Sequence, residues 1–166
     1  MRWILVIVGA VVVLVVALVP LIGSQLPSGH TVSRSVVYRR KPAEVYAVVR
    51  DFGSAPSWRT DVQEIQLTNL PDGKVGFREV GRQGTVNYEL SEDVPSQRMV
   101  TRITDTDLGY SGSWTYTFEP EPEGTRLTIT ENGEVSNIVF RFMSRFVFGH
   151  TATIDSYLAA LTRRLE

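Results

Sequence analysis

The chain has 166 residues, with 17 Lys/Arg against 18 Asp/Glu, two histidines and no cysteine. Without cysteine there is no disulfide, thiolate catalysis or Cys-type metal site; two histidines and no carboxylates at ligand spacing build no zinc centre either, so no metal or other cofactor is expected. The nearly balanced charge carries no basic stripe, which excludes nucleic acid as a partner.

Trp3 to Ile22 is an unbroken apolar run in which no charged side chain follows Arg2. Crossing a bilayer takes roughly 20 apolar residues, and a helix is the form in which a lone segment satisfies its own backbone groups in lipid. A cleaved secretory signal is the competing reading, but its apolar stretch is usually about 7–15 residues and exits through small residues, whereas Leu21 and Ile22 precede Gly23 here. We therefore read residues 1–23 as an uncleaved, single-pass transmembrane anchor, with the membrane met through Trp3–Ile22. Gly23–Ser33 has no Lys or Arg, so the positive-inside rule places the N-terminus in the cytoplasm and the domain on the outer, periplasmic or extracellular side. Residues 24–30, with Pro27, Ser28 and Gly29, read as a tether, with His30 solvated within it. Residues 31–166 are the size of one domain.

Thr31–Tyr38 alternates as a strand. Pro42 opens a helix with Val45, Val48, Val49 and Phe52 on one face; it ends near Gly53, and Pro56 marks a second short helix. Six strands follow, Val62–Leu67, Val75–Val80, Thr85–Val94, Arg98–Thr104, Gly109–Glu119 and Thr125–Val135, separated by PDG, RQG, PSQ, DTD and EPEPEG turns. From Asn137 to Glu166 there is no proline, and Phe140, Met143, Val147, Thr151, Ile154, Leu158, Leu161 and Leu165 recur every three or four residues. That spacing predicts one long amphipathic helix. Consecutive strands with helices segregated from them define an α+β domain on an antiparallel sheet.

Four segments in this order carry a resemblance: KPAEVYAVVRDF leading to Pro56–Trp58, GSWTYTFEP at Gly112–Pro120, GTRLTITENGEV at Gly124–Val135, and the terminal SRFVFGHTATIDSYLAALTRRL. Together they resemble the START-like superfamily, also called SRPBCC, which includes pollen-allergen proteins, polyketide cyclases and lipid-transfer domains. The resemblance covers about Thr31–Glu166 and is closest to small membrane-anchored members described as polyketide cyclase/dehydrase-like. It implies the helix-grip fold, a seven-stranded antiparallel sheet wrapped around the long C-terminal helix, with two short helices after the first strand. It also implies a cavity between sheet and helix for an apolar or amphipathic small molecule or lipid.

The alternation supplies its own candidates for that wall. Tyr110, Trp114, Tyr116 and Phe118 share one strand face and Ser111, Ser113, Thr115 and Thr117 the other; Val86, Tyr88 and Leu90 hold the same phase on their strand, as do Leu127 and Ile129 on theirs. Buried tyrosine and tryptophan want partners for their polar tips, which suits a polar-lined wall, against the plainer reading of packed core aromatics. Glu131 is in phase with Leu127 and Ile129, Glu79 with Phe77, and Arg102 with Val100. A buried carboxylate is costly unless paired, so Arg102 answering Glu131 or Glu79 would orient a ligand's polar end. Strand-end twist carrying these groups to solvent is the alternative. The resemblance places Trp58 at the cavity mouth, and the helical stripe adds Met143 and Val147.

No catalytic residue is assigned. His150 has no nucleophile and orienting carboxylate placed with it and reads as structural. Ile138–Phe148 is apolar on more than one side, through Phe140, Phe142, Phe146 and Phe148; it either packs beneath the two short helices or meets the membrane surface, with Arg141 and Arg145 toward lipid head groups. The expected function is reversible binding or carriage of a hydrophobic small molecule or lipid. The alternatives are an enzyme of the cyclase, dehydratase or isomerase kind, with Glu79 or Glu131 as general acid or base, and a non-enzymatic envelope interaction module with a filled core. Oligomeric state stays open.

Overall fold

A computed structural model describes every residue except Met1, Asp72, Gln83 and His150, and all but the side chain of Phe148. The expected role of His150 therefore lies outside the described residues. Helix α1, Arg2–Gln25, contains the apolar run and carries Pro20 within it. It is long and apolar enough to cross a membrane, and its apolar stretch is wholly unburied; a signal sequence passes the same test. Only 26–28 separate α1 from β1, which begins at Gly29 and runs to Tyr38.

Helix α2 spans Pro42–Arg50, with Pro42 in its first turn and the Glu44 carboxylate accepting from the Lys41 backbone N–H at 2.8 Å. This satisfies a donor that the helix start would otherwise leave unpaired. A 3-10 turn, Phe52–Ser57, takes the place of the second short helix. Strands β2 (Val62–Asn69), β3 (Val75–Gly81), β4 (Gly84–Val94), β5 (Arg98–Ile103), β6 (Tyr110–Glu121) and β7 (Gly124–Val135) start and stop close to the turns that the sequence marks. All seven strands form one sheet in the order β1-β7-β6-β5-β4-β3-β2, each neighbour antiparallel. The domain's first strand thus closes onto its last.

The C-terminal region differs from the single helix its spacing predicts. It divides into α3 (Ile138–Met143), a π-helical turn (Ser144–Phe148) and α4 (Ala152–Leu165). The division falls at Gly149, whose φ of +74° lies where residues with a Cβ are disfavoured. Helix α4 alone lies across the inner sheet face, burying Ile154, Tyr157, Leu158, Ala160 and Leu161. Polar contacts along β1 fix its position: Tyr38 donates its hydroxyl to the Leu158 carbonyl at 3.3 Å, and Arg40 donates to the Leu165 carbonyl at 2.9 and 3.1 Å. Opposite α4, the core is the inward set of the sheet, including Phe77, Leu90, Met99, Tyr116, Phe118, Leu127 and Ile129, closed by Val45, Val49 and Phe52. Helix α3 packs on the end of α1 and on β7, not beneath the two short helices.

Candidate ligand site

The interior between sheet and α4 is built on Tyr157, buried in the middle of α4. Trp58 meets its ring edge-on at 5.4 Å between centroids, Trp114 edge-on at 5.6 Å, and Tyr116 at 6.0 Å. A second run of rings extends toward β3, with Tyr88 stacked on Phe77 at 4.9 Å and Phe77 on Phe52 at 4.3 Å. The rings touch one another across the inner face. Burial holds the Tyr157, Tyr116 and Tyr88 phenols well above their ordinary range, with neighbouring negative charge adding to the effect at Tyr88. These tyrosines stay protonated at neutral pH.

Two polar assemblies penetrate the aromatic interior. The pairing of Trp114 with Glu131 across β6 and β7 lets the Trp114 indole N–H donate to one Glu131 oxygen at 2.7 Å, while His30 Nε2 lies 3.0 Å from the other. Glu131 and His30 side chains are only 20% and 17% exposed. His30 is therefore part of β1 and turned inward, a correction to its reading as a solvated tether residue. Its ring covers Gly133, where a Cβ would collide with the imidazole. The second assembly is Arg59, which donates to both Glu79 oxygens at 2.8 and 3.1 Å and to Asp61 at 2.6 Å. Burial pulls the Arg59 guanidinium down, but the two carboxylates outweigh it and hold the group firmly charged. In return, although burial pushes Asp61 up, Arg59 brings its carboxyl below the ordinary value. Arg59 also lies over the Tyr157 ring at 5.4 Å, a cation–π contact.

Of the residues that the sequence singles out, Trp58, Phe77, Glu79, Tyr88, Trp114, Tyr116 and Glu131 face this interior together. Met143 is half-buried in α3, away from the α4 stripe. Arg102 does not belong: it is exposed on the outer face, opposite Ser113. Strand β5 buries Met99, Val100 and Thr101 in succession, Val100 lying on the outer face that it shares with the exposed Arg98 and Arg102, while Met99 and Thr101, paired with Tyr116 and Trp114, face inward. Val147 is 57% exposed in the π turn, since the helical stripe is interrupted before α4. Sequence reasoning missed Arg59 and His30. Arg59 immediately follows Trp58, and a basic residue beside an inward aromatic is the one signal that pointed to it.

Trp58 Nε1 and Arg59 Nε are buried and meet no acceptor among the described residues. Two grooves lie outside the aromatic cluster: one of about 430 Å³ between α2 and β2/β3, lined by Tyr46, Arg50, Phe52, Leu67 and Val75, and one of about 540 Å³ lined by His30, Ser111, Asn132 and Glu134. Among the described residues, no three His, Cys, Asp or Glu stand together as a metal site.

This sheet-and-helix architecture with an aromatic, sparsely polar interior belongs to the helix-grip, START-like class of proteins. Over residues 29–166 the sequence matches the family described as polyketide cyclase / dehydrase and lipid transport, and the chain belongs to that family. No curated protein matches it. Among solved structures it is similar to the START superfamily protein from Mycobacterium smegmatis, with a TM-score of 0.62 at 18% identity over 82% of this chain and 97% of that one. It is also similar to the Zhui aromatase/cyclase from Streptomyces sp. R1128, with a TM-score of 0.63 at 14% identity over 83% of this chain and 96% of that one. A third, the di-domain aromatase/cyclase StfQ from the steffimycin biosynthetic pathway, gives 0.68 at 12% identity; the alignment covers 82% of this chain and 50% of that longer one. At these identities the likeness is one of fold.

Proposed function

We propose that the protein is a membrane-anchored domain that reversibly binds or carries a hydrophobic small molecule or lipid between its sheet and α4. In this reading α1 is the anchor, the N-terminus is cytoplasmic, and an oxygen of the ligand accepts from Trp58 and Arg59. The observation that carries it is the pair of buried donors, Trp58 Nε1 and Arg59 Nε, which meet no acceptor among the described residues. Leaving such a group unpaired costs about 1–3 kcal/mol, a cost that a bound acceptor removes. The family's own description, which includes lipid transport, supports the same class of ligand. Because the rings touch, admission requires Trp58 or Tyr157 to move aside.

The test uses cis-parinaric acid, an apolar fluorescent chain with an oxygen acceptor. Trp58→Phe keeps an aromatic ring and deletes the indole N–H. It should leave stability unchanged or slightly raised and weaken the probe by about 1 kcal/mol, roughly fivefold. Unchanged affinity would remove Trp58 from the site. An enzymatic reading has one observation in its favour, the His30–Glu131 pair beside a groove that His30 lines. Glu131→Gln separates the two: a general acid or base would lose roughly 10²–10⁴ in turnover, whereas a carrier should show only a modest change in affinity. Orientation is tested by a C-terminal reporter that works only outside the cytoplasm, which should be active; activity of a cytoplasm-only reporter would reverse the topology.

A further inference from the structure

We infer that α3 and the π turn form a second membrane contact, seated in the head-group region of the leaflet at which α1 ends. The inference rests on α1 spanning the bilayer, as in the proposed function, but not on which side the domain lies. Outside α1, eight large hydrophobic residues are exposed among those described, and five of them, Ile138, Val139, Phe140, Phe146 and Val147, fall within ten consecutive residues at 39–60% exposure. Single exposed apolar residues need no explanation, but a contiguous cluster marks an interaction surface.

What covers that cluster follows from its place in the fold. Gly23, the one buried residue of α1, receives the Ile138 carbonyl where a side chain would otherwise stand. Arg141 clamps the same junction, donating to the carbonyls of Val135 at 2.6 Å, Ser136 at 3.3 Å and Leu26 at 3.4 Å. Arg141 is thus committed to the protein backbone, and Arg145, exposed on the π turn, is the cation left for lipid phosphate. Ile138 seated on Gly23 and Arg141 donating to the Leu26 carbonyl fix the patch to the end of α1, so an α1 that spans the bilayer holds it at the surface. The charge agrees as well, since residues 135–154 contain no Asp or Glu, as suits an interface with anionic lipid.

The placement also orients the ligand site. Tyr110 stacks on Phe140 at 6.2 Å and pairs with Val135 across β6 and β7, while His30 pairs with Gly133 on the next strand. The end of the interior that carries His30 and Glu131 is therefore the end nearest the lipid.

The natural chain has no cysteine, so single cysteines report one position each. The full chain carrying Phe146→Cys, Val147→Cys, Val12→Cys in the anchor or Leu67→Cys on β2 is labelled with an environment-sensitive fluorophore. It is then reconstituted in phosphatidylcholine vesicles with a minor share of phosphatidylglycerol and a lipid spin-labelled near the head group. The labels at 146 and 147 should shift to the blue and lose fluorescence severalfold relative to spin-label-free vesicles, with the label at 67 unaffected. Positions 146 and 147 both behaving like 67, while a deep spin label quenches position 12, would overturn the inference and leave the anchor standing. Position 12 escaping the deep spin label would remove the anchor and the inference together.

Discussion

At the scale of single residues, the interior is organised by charge that is paired before any ligand arrives. Arg59 has a side chain 13% exposed and touches Glu79, itself 17% exposed, and Asp61, 52% exposed. Removing one partner of a buried pair leaves the other uncompensated, which typically costs about 3–5 kcal/mol. We therefore expect Arg59→Met to lose about 3 kcal/mol in urea unfolding at neutral pH, the lower end applying because both carboxylates keep some solvent. The pH dependence has a definite sign. Because Asp61 has a lowered pKa in the folded protein, its contribution is present above the unfolded carboxyl value of about 3.9 and disappears as pH falls through the folded value. The stability gap between wild type and Arg59→Met should narrow below about pH 4, and a gap constant from pH 7 to 3 would assign the loss to packing alone. The sequence could not show this pairing, because Arg59 reaches Glu79 across 20 residues and His30 reaches Glu131 across 101. Alternation gives a side chain's face but not its partner.

At the scale of elements, burial and surface charge contribute unequally to holding α4 on the sheet. Leu161 is fully buried, and Leu161→Ala should cost about 2–5 kcal/mol. The Arg34–Asp155 pair at 3.1 Å has both side chains about half exposed, so Arg34→Ala should change stability by about 0.5 kcal/mol or less; denaturant titration of both variants checks the contrast, and equal losses would contradict it. Elements were legible where one period dominated. The strands of β6 and β7 follow from aromatic and aliphatic residues at every second position between glycine- and proline-rich turns. The C-terminal region was not, because phenylalanines on several sides of 138–148 extend the apparent helical stripe through Gly149. Strand β5 differs for another reason: Val100 is buried on the outer face between the exposed Arg98 and Arg102, so taking Val100 as inward puts Arg102 on the wrong side.

At the scale of the whole molecule, an apolar helix, an apolar patch fixed to its end and an aromatic interior follow one another, and the proposed anchor would set them in that order from bilayer to domain. Tryptophan provides a direct view of the interior, because the chain has three: Trp3 on α1, Trp58, whose buried N–H meets no acceptor among the described residues, and Trp114 bonded to Glu131. The most direct measurement of ligand binding is therefore the indole N–H spectrum of the full chain in lipid nanodiscs during titration with oleic acid, a long apolar chain bearing an oxygen acceptor. The account predicts a saturable downfield shift of the Trp58 resonance as its proton gains an acceptor, with Trp3 unmoved. A Trp58 resonance that stays in place at saturating oleic acid, or that moves only in step with Trp3, would contradict it and leave the interior a filled core.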